Sequence, residues 1–86
     1  MPRISAFYGI VIAMFFNDHS PPHFHARYAE HEAQVRIEDG SILHGSLPRR
    51  AATLVNEWAA LHRDELHADW ERARAEVPLA TIEPLL

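Results

Sequence analysis

Between Asn17 and Tyr28 the chain reads Asn-Asp-His-Ser-Pro-Pro-His-Phe-His-Ala-Arg-Tyr, placing three of its seven histidines beside an aspartate, an arginine and a tyrosine. Two kinds of chemistry suit this set. His19, His23 and His25, with Asp18 as a further donor, could bind Zn²⁺ or another divalent transition metal, whose nitrogen ligands lie about 2.0–2.1 Å away. Three protein ligands and one open position would make that centre catalytic in type. Without a metal, His23 and His25 could act as general base and acid near neutral pH, with Arg27 holding a phosphate and Tyr28 stacking on a base. The plainer alternative is a loop held by imidazole-to-backbone hydrogen bonds, with the rings stacked on the prolines.

The prolines decide how these residues are presented. Pro21 and Pro22 fix their own φ and push Ser20 and Pro21 out of helical geometry, so a stiff extended loop leads into His23. From His23 the residue types alternate, and a strand would place Phe24, Ala26 and Tyr28 on one face and His23, His25 and Arg27 on the other. Same-side neighbours then stand roughly 7 Å apart, within reach of one metal ion or one anion. This parity groups Tyr28 with the core side, against a stacking role. Arg27 has a simpler partner in Glu32 or Glu38 of the next strand.

Around this stretch the pattern predicts an α+β domain occupying all of residues 1–86, with strands within 7–46, helix within 48–77 and an apolar tail at 79–86. Phe7 to Phe16 is apolar on both parities, as a strand covered on both sides would be, and Gly9 marks a bulge or close approach at its start. Ala33, Val35 and Ile37 alternate with Gln34, Arg36 and Glu38 in a strand with one wet face, after a turn at Glu30-His31-Glu32. Asp39-Gly40 signals a type I′ hairpin into a short strand from Ile42. The expected sheet is a three- to four-stranded antiparallel meander packed against one or two C-terminal helices.

Pro48 suits a first helical position, with Ser46 near enough to cap. Ala51, Leu54, Val55, Trp58 and Leu61 form one helical stripe, and Leu66, Trp70, Ala73 and Val77 form a second, rotated by roughly 90° at 100° per residue. A break near Arg63-Asp64, capped by Asp64, accounts for the rotation, and one long curved helix is the alternative. The charges from Asp64 to Glu76, with Asp69 and Arg72 as one pair, read as a solvated face. Leu79 to Leu86 is too apolar for a free tail and should dock on its own domain or on a partner.

Composition narrows the function classes. The chain has 86 residues, 48% of them hydrophobic and 23% charged, and no cysteine, which excludes disulfides and thiolate metal sites and suits a reducing cytoplasm. A domain this small gains from self-association or a protein partner. The net charge of −4 disfavours broad nucleic-acid binding, although seven protonated imidazoles would carry it to +3. No apolar run is long enough for a membrane span.

Phe-Tyr-Gly-Ile-Val-Ile at 7–12, Phe-Asn-Asp-His at 16–19, Pro-Pro-His-Phe-His-Ala at 21–26, Glu-Trp-Ala-Ala-Leu-His-Arg-Asp-Glu-Leu at 57–66 and Ile-Glu-Pro-Leu at 82–85 together resemble a family of small prokaryotic proteins, domain of unknown function 4160. The resemblance covers nearly the whole chain. It implies a protein partner, since family members are often encoded beside a second small protein, domain of unknown function 2442, in an arrangement reminiscent of toxin-antitoxin pairs. The resulting expectation is a protein-interaction module of a two-gene system carrying a His-rich site. The alternative is a small hydrolase or ribonuclease-type toxin using His23, His25 and Arg27.

Overall fold

The computed structural model describes residues 2–86. Among them, five strands form a single antiparallel sheet in sequence order: β1 (Arg3–Phe7), β2 (Ile10–Ala13), β3 (His23–Tyr28), β4 (His31–Arg36) and β5 (Ile42–Gly45). Two helices follow, α1 (Arg49–Leu61) and α2 (Arg63–Arg74). The α+β meander is as the pattern implies, but the sheet has five strands rather than three or four. The extra strand comes from the amino terminus. The Phe7–Phe16 run is not one strand but the end of β1, a two-residue turn at Tyr8-Gly9, and β2; both turn residues have positive φ, 50° and 79°. A glycine at the second of these positions bears the conformation without the Cβ penalty, so Gly9 reverses the chain instead of bulging it.

Other turns are also redrawn. Tyr28 pairs with His31, so the β3–β4 turn is Ala29-Glu30, with Ala29 at φ 53°, and Glu32 lies inside β4. The Asp39-Gly40 hairpin is a longer loop. The Arg36 carbonyl accepts the amide of Gly40 at 2.9 Å, the Arg36 amide donates to the Ser41 carbonyl at 2.8 Å, and Gly40 has positive φ without Asp39 sharing it, which a type I′ turn does not allow. Asp39 closes the loop by accepting both the amide and the hydroxyl of Ser41, and these bonds hold its carboxyl below the usual carboxylate range.

The core lies on the face of the sheet carrying Ile4, Ile10, Ile12, Phe24, Ala26, Ala33, Val35 and Ile37. Trp58 of α1 closes it, its ring 5.4 Å from that of Phe7 and 5.7 Å from that of Phe24. Ala51, Val55 and Ala59 bury the same stripe of α1, whereas Leu61 is exposed at the helix end. The helix pair breaks at His62, one residue before the expected point, and Asp64 and Glu65 fall in the first turn of α2, where negative charge favours a helix start. Neither Ser46 nor Asp64 caps: Pro48 and His62 occupy the cap positions with no side-chain cap bond. The stripe Leu66, Trp70 and Ala73 is buried, while Val77 lies beyond α2 and is exposed.

The apolar tail docks on its own domain. The Ile82 amide donates to the Ile4 carbonyl on edge strand β1, Trp58 Nε1 donates to the Glu83 carbonyl, and Ile82 is buried. Asp69 anchors the start of this segment and is fully buried, not part of a solvated face as its charged neighbours suggest. Its Oδ1 accepts from Arg72 Nη1 and from the Ala80 amide, each at 2.8 Å.

Candidate metal centre

The loop between β2 and β3 is pinned before it reaches the histidines. The Asn17 amide donates to the Ala73 carbonyl at the end of α2, and Asn17 itself has φ 55°. Its neighbour Asp18 therefore sits over the start of β3. The Ser20–Pro21 peptide is cis, and the Pro22 carbonyl accepts the Ile37 amide as the chain enters the sheet. Strand parity then sends His23 and His25 to the face opposite Phe24.

Three groups converge there. Oδ2 of Asp18 lies 3.0 Å from Nε2 of His23 and 3.0 Å from Nε2 of His25. One ligand atom from each of Asp18, His23 and His25 falls within 4.8 Å of the other two. The His23 side chain is fully buried, that of His25 is 12% exposed and that of Asp18 is 16% exposed, so the cluster has a dry floor and an accessible rim. Trp70 of α2 packs against the His23 ring at 5.4 Å, and the Phe15 and His25 rings meet edge to face at 4.4 Å.

Hydrogen-bond accounting makes this cluster unusual. His23 Nδ1 lies 2.8 Å from the Pro21 carbonyl, an atom that can only accept, so Nδ1 carries a proton and donates to it. Its Nε2 faces an ionised carboxylate, which also only accepts. A neutral ring cannot donate at both ends. Either a second proton or a cation must therefore lie between His23 Nε2 and Asp18 Oδ2. A tetrahedral zinc with bonds of about 2.0–2.1 Å needs ligand atoms about 3.3 Å apart, close to the two 3.0 Å separations here.

The outer nitrogens fit the same arrangement. Imidazoles that bind metals almost always donate the other ring N–H to a carbonyl or carboxylate. His23 has the Pro21 carbonyl for this. His25 Nδ1 is buried without a hydrogen-bond partner, and Glu32 Oε2 lies 3.7 Å from it. Burial works to raise the Asp18 carboxyl, but the His25 ring, the His19 amide at 2.9 Å and the nearby His23 together hold it below its ordinary value. It stays ionised, as a ligand must.

His19 stands apart from this convergence. Its ring is 71% exposed and lies over the His23 ring at 5.3 Å between centroids, with Nε2 3.7 Å from Asp18 Oδ1, while its amide bonds to Asp18. Arg27 lies one row further along β3, opposite Glu32 in the register, and does not join the three. Tyr28, at the strand end, is partly exposed and lines a small cleft with Tyr8 and Arg50 rather than filling the core. His62 and His67 are remote; His62 pairs with Glu65 and stacks near Trp58.

The family described as Domain of unknown function (DUF4160) matches the chain over residues 9–71. The chain belongs to that family. The part matched to DUF4160 contains the whole Asp18–His23–His25 cluster and the helix residue Trp70 packed on it, but neither β1 nor the tail. No curated protein and no solved structure matches this DUF4160 chain. Two neighbours of the cluster carry no sequence signal of their own: Glu32 reads as a partner for Arg27, and Gln34 as one wet-face residue among several. Register alone could have found them, since His25 pairs with Gln34 and Arg27 with Glu32.

Proposed function

We propose that Asp18, His23 and His25 bind one divalent transition metal, with zinc the best match, and that the chain is a small metal-dependent hydrolase. The observation that carries this reading is the buried His23 ring, held between two acceptor-only oxygens. Three ligands and an accessible rim suit a centre with an open position, where zinc lowers the pKa of a bound water to about 7. Elemental analysis of untagged protein, purified without chelator and then incubated with Zn²⁺, tests it. About one metal per chain is expected, lost in His23→Ala and His25→Ala. A metal-free wild type would leave the cluster as a hydrogen-bonded His23–Asp18 pair and would end the hydrolase reading.

A second reading, a protein-interaction module of a cytoplasmic, prokaryotic two-gene system of toxin-antitoxin type, is favoured by a separate feature. Strand β5 ends the sheet, and all four of its residues are exposed, Ile42 at 43% and Leu43 at 39%. An open apolar edge offers backbone groups to another strand. The tail does not support this reading, because it packs on β1. Among the described residues no helix is long and apolar enough to cross a membrane. Co-purification with the adjacent gene's product, abolished by Leu43→Glu, is the expected result; monomeric elution of the mixture would count against it.

A further inference from the structure

A groove of about 430 Å³ opens beside the candidate metal centre, lined by His19, Pro21, Gln34, Leu43 and His44. Its position comes from strand register. Across the outer face Ala13 pairs with His25, His25 with Gln34 and Gln34 with His44, so Gln34 and His44 continue the row in which His25 stands. Directly opposed residues project to the same side of a sheet. A register shift between Gln34 and Val35 interrupts the β4–β5 ladder at this point, an irregularity of the kind that re-aims side chains beside sites. The opposite wall is the loop that carries Asp18: His19 lines the groove with its ring while its amide bonds to Asp18.

We infer that this groove binds a small phosphate ester, with the phosphate at the Asp18–His23–His25 centre and the organic group between Pro21 and Leu43, contacted by Gln34 and His44. This rests on the metal reading above. A divalent cation held by one carboxylate and two neutral imidazoles keeps one net positive charge in its ligand shell, with the half-exposed Glu32 carboxylate behind His25 and outside that shell, and this charge draws a group that is anionic before it reacts. No carboxylate lines the groove to oppose such a ligand. Neither the Gln34 amide nor the His44 ring has a side-chain partner among the described residues.

Size and shape favour an ester over bare phosphate. Two strand spacings of about 4.8 Å separate β3 from β5, so His44 stands about 10 Å from His25 along the row, too far for one phosphate to touch both. The volume falls within the roughly 300–1,000 Å³ of ligand pockets, and Pro21 and Leu43 offer an apolar clamp. A polymeric nucleic acid is disfavoured because the chain's charge is −4 and phosphodiester polymers are held mainly by cationic footprints. Hydrolysis there forms one P–O bond from water and breaks the ester P–O bond. The proton of the water ends on the released alcohol, and no other reactant is needed.

Calorimetric titration of the zinc-loaded full chain with phenyl phosphate and with inorganic phosphate tests this. Phenyl phosphate should bind more tightly than inorganic phosphate. Gln34→Ala and His44→Ala remove side-chain packing against the phenyl ring, so each should weaken phenyl phosphate by about tenfold while leaving inorganic phosphate affinity and zinc content unchanged. If a chain holding one zinc binds no phosphate, or if both variants bind phenyl phosphate as the wild type does, the groove assignment falls and the metal centre stands. Tighter binding of a single-stranded RNA oligonucleotide than of phenyl phosphate would also overturn the small-ester assignment. A chain that takes up no zinc removes both readings together.

Discussion

Replacing Asp18 by asparagine keeps the side chain's shape but removes its charge and one of its two acceptor oxygens. That carboxylate receives the His19 amide on Oδ1 and faces His23 and His25 on Oδ2. Asparagine can serve only part of this set, and its NH₂ would face a donor. One charge-assisted hydrogen bond is worth about 1.5–3 kcal/mol, and the partly exposed rim puts the loss near 2–3 kcal/mol without metal. For a domain of this length each kcal/mol moves the melting temperature by about 4–8 °C, so Asp18→Asn should melt about 8–24 °C lower. Zinc should widen the gap. At a hundredfold excess over its dissociation constant a ligand adds about 2.7 kcal/mol to the wild type. If the variant binds zinc on the order of a hundredfold more weakly, it gains only about 0.4 kcal/mol by the same relation. Urea unfolding of both chains, with and without zinc, reads all four values. Equal stability of the two chains in both conditions would refute the account of Asp18 altogether. A gap that is present without zinc and unchanged by it would identify a hydrogen-bonded His23–Asp18 pair and no metal.

Acid should erase this difference in a definite direction. The Asp18 carboxyl is held below its ordinary value of 3.8, so its contribution is complete above that value and is lost as pH falls through the lower folded value; the gap between wild type and Asp18→Asn should therefore shrink only in strong acid, and a gap that vanished already at pH 5 would contradict it. Glu32→Gln should leave the fold intact but lower zinc affinity by about 10–100-fold, as loss of an outer carboxylate does, measured by competition with a chromophoric chelator; unchanged affinity would show that His25 Nδ1 does not use Glu32. Asp69→Ala should release the tail, removing the acceptor for Ala80 and Arg72, and destabilise the chain by about 3 kcal/mol, with faster proteolysis after residue 74 as the diagnostic. Trp58→Phe keeps most of the ring packing but strands the Glu83 carbonyl, costing about 1–3 kcal/mol in a thermal melt.

What can be read from residues alone obeys a physical divide. Periodicity reports burial, and wherever burial is the deciding force the sequence is legible: Ala33, Val35 and Ile37 are buried as their alternation requires, and Trp58 and Trp70 both face the core. Backbone reversals are less legible. Tyr8 carries positive φ without being a residue that favours it, and so Arg3–Phe7 and Ile10–Ala13 read as a lead-in and one long strand instead of a hairpin. The Asp39-Gly40 pair marks a reversal correctly but not its length, because Arg36 and Ser41 close the loop through backbone bonds that have no side-chain signature. Asp69 hides its role for a related reason. Its partner Ala80 is a backbone amide eleven residues away, and nothing in the spacing of charges announces it.

The site divides in the same way. His23 and His25 share a face by strand parity, which any alternating sequence reveals, but their convergence on one carboxylate oxygen depends on where the loop delivers Asp18. That is fixed by the Asn17 amide on the Ala73 carbonyl, a contact between residues 56 positions apart in the chain. The same contact explains why His19, equal to the others in spacing, stays at the rim: with Asn17 pinned and Asp18 turned inward, its ring is left facing the groove. Helix α2 thus holds the loop through Ala73 and covers His23 through Trp70, so the integrity of the cluster depends on the docking of a helix that contributes no ligand. A substitution that loosens α2 without touching the loop, Trp70→Leu, should then raise the solvent exposure of His23 and weaken zinc binding while leaving the strands paired. If zinc affinity were unaffected by a measurable loss of α2 packing, the loop and β3 would be sufficient by themselves, and the dependence of the site on the helix would be wrong.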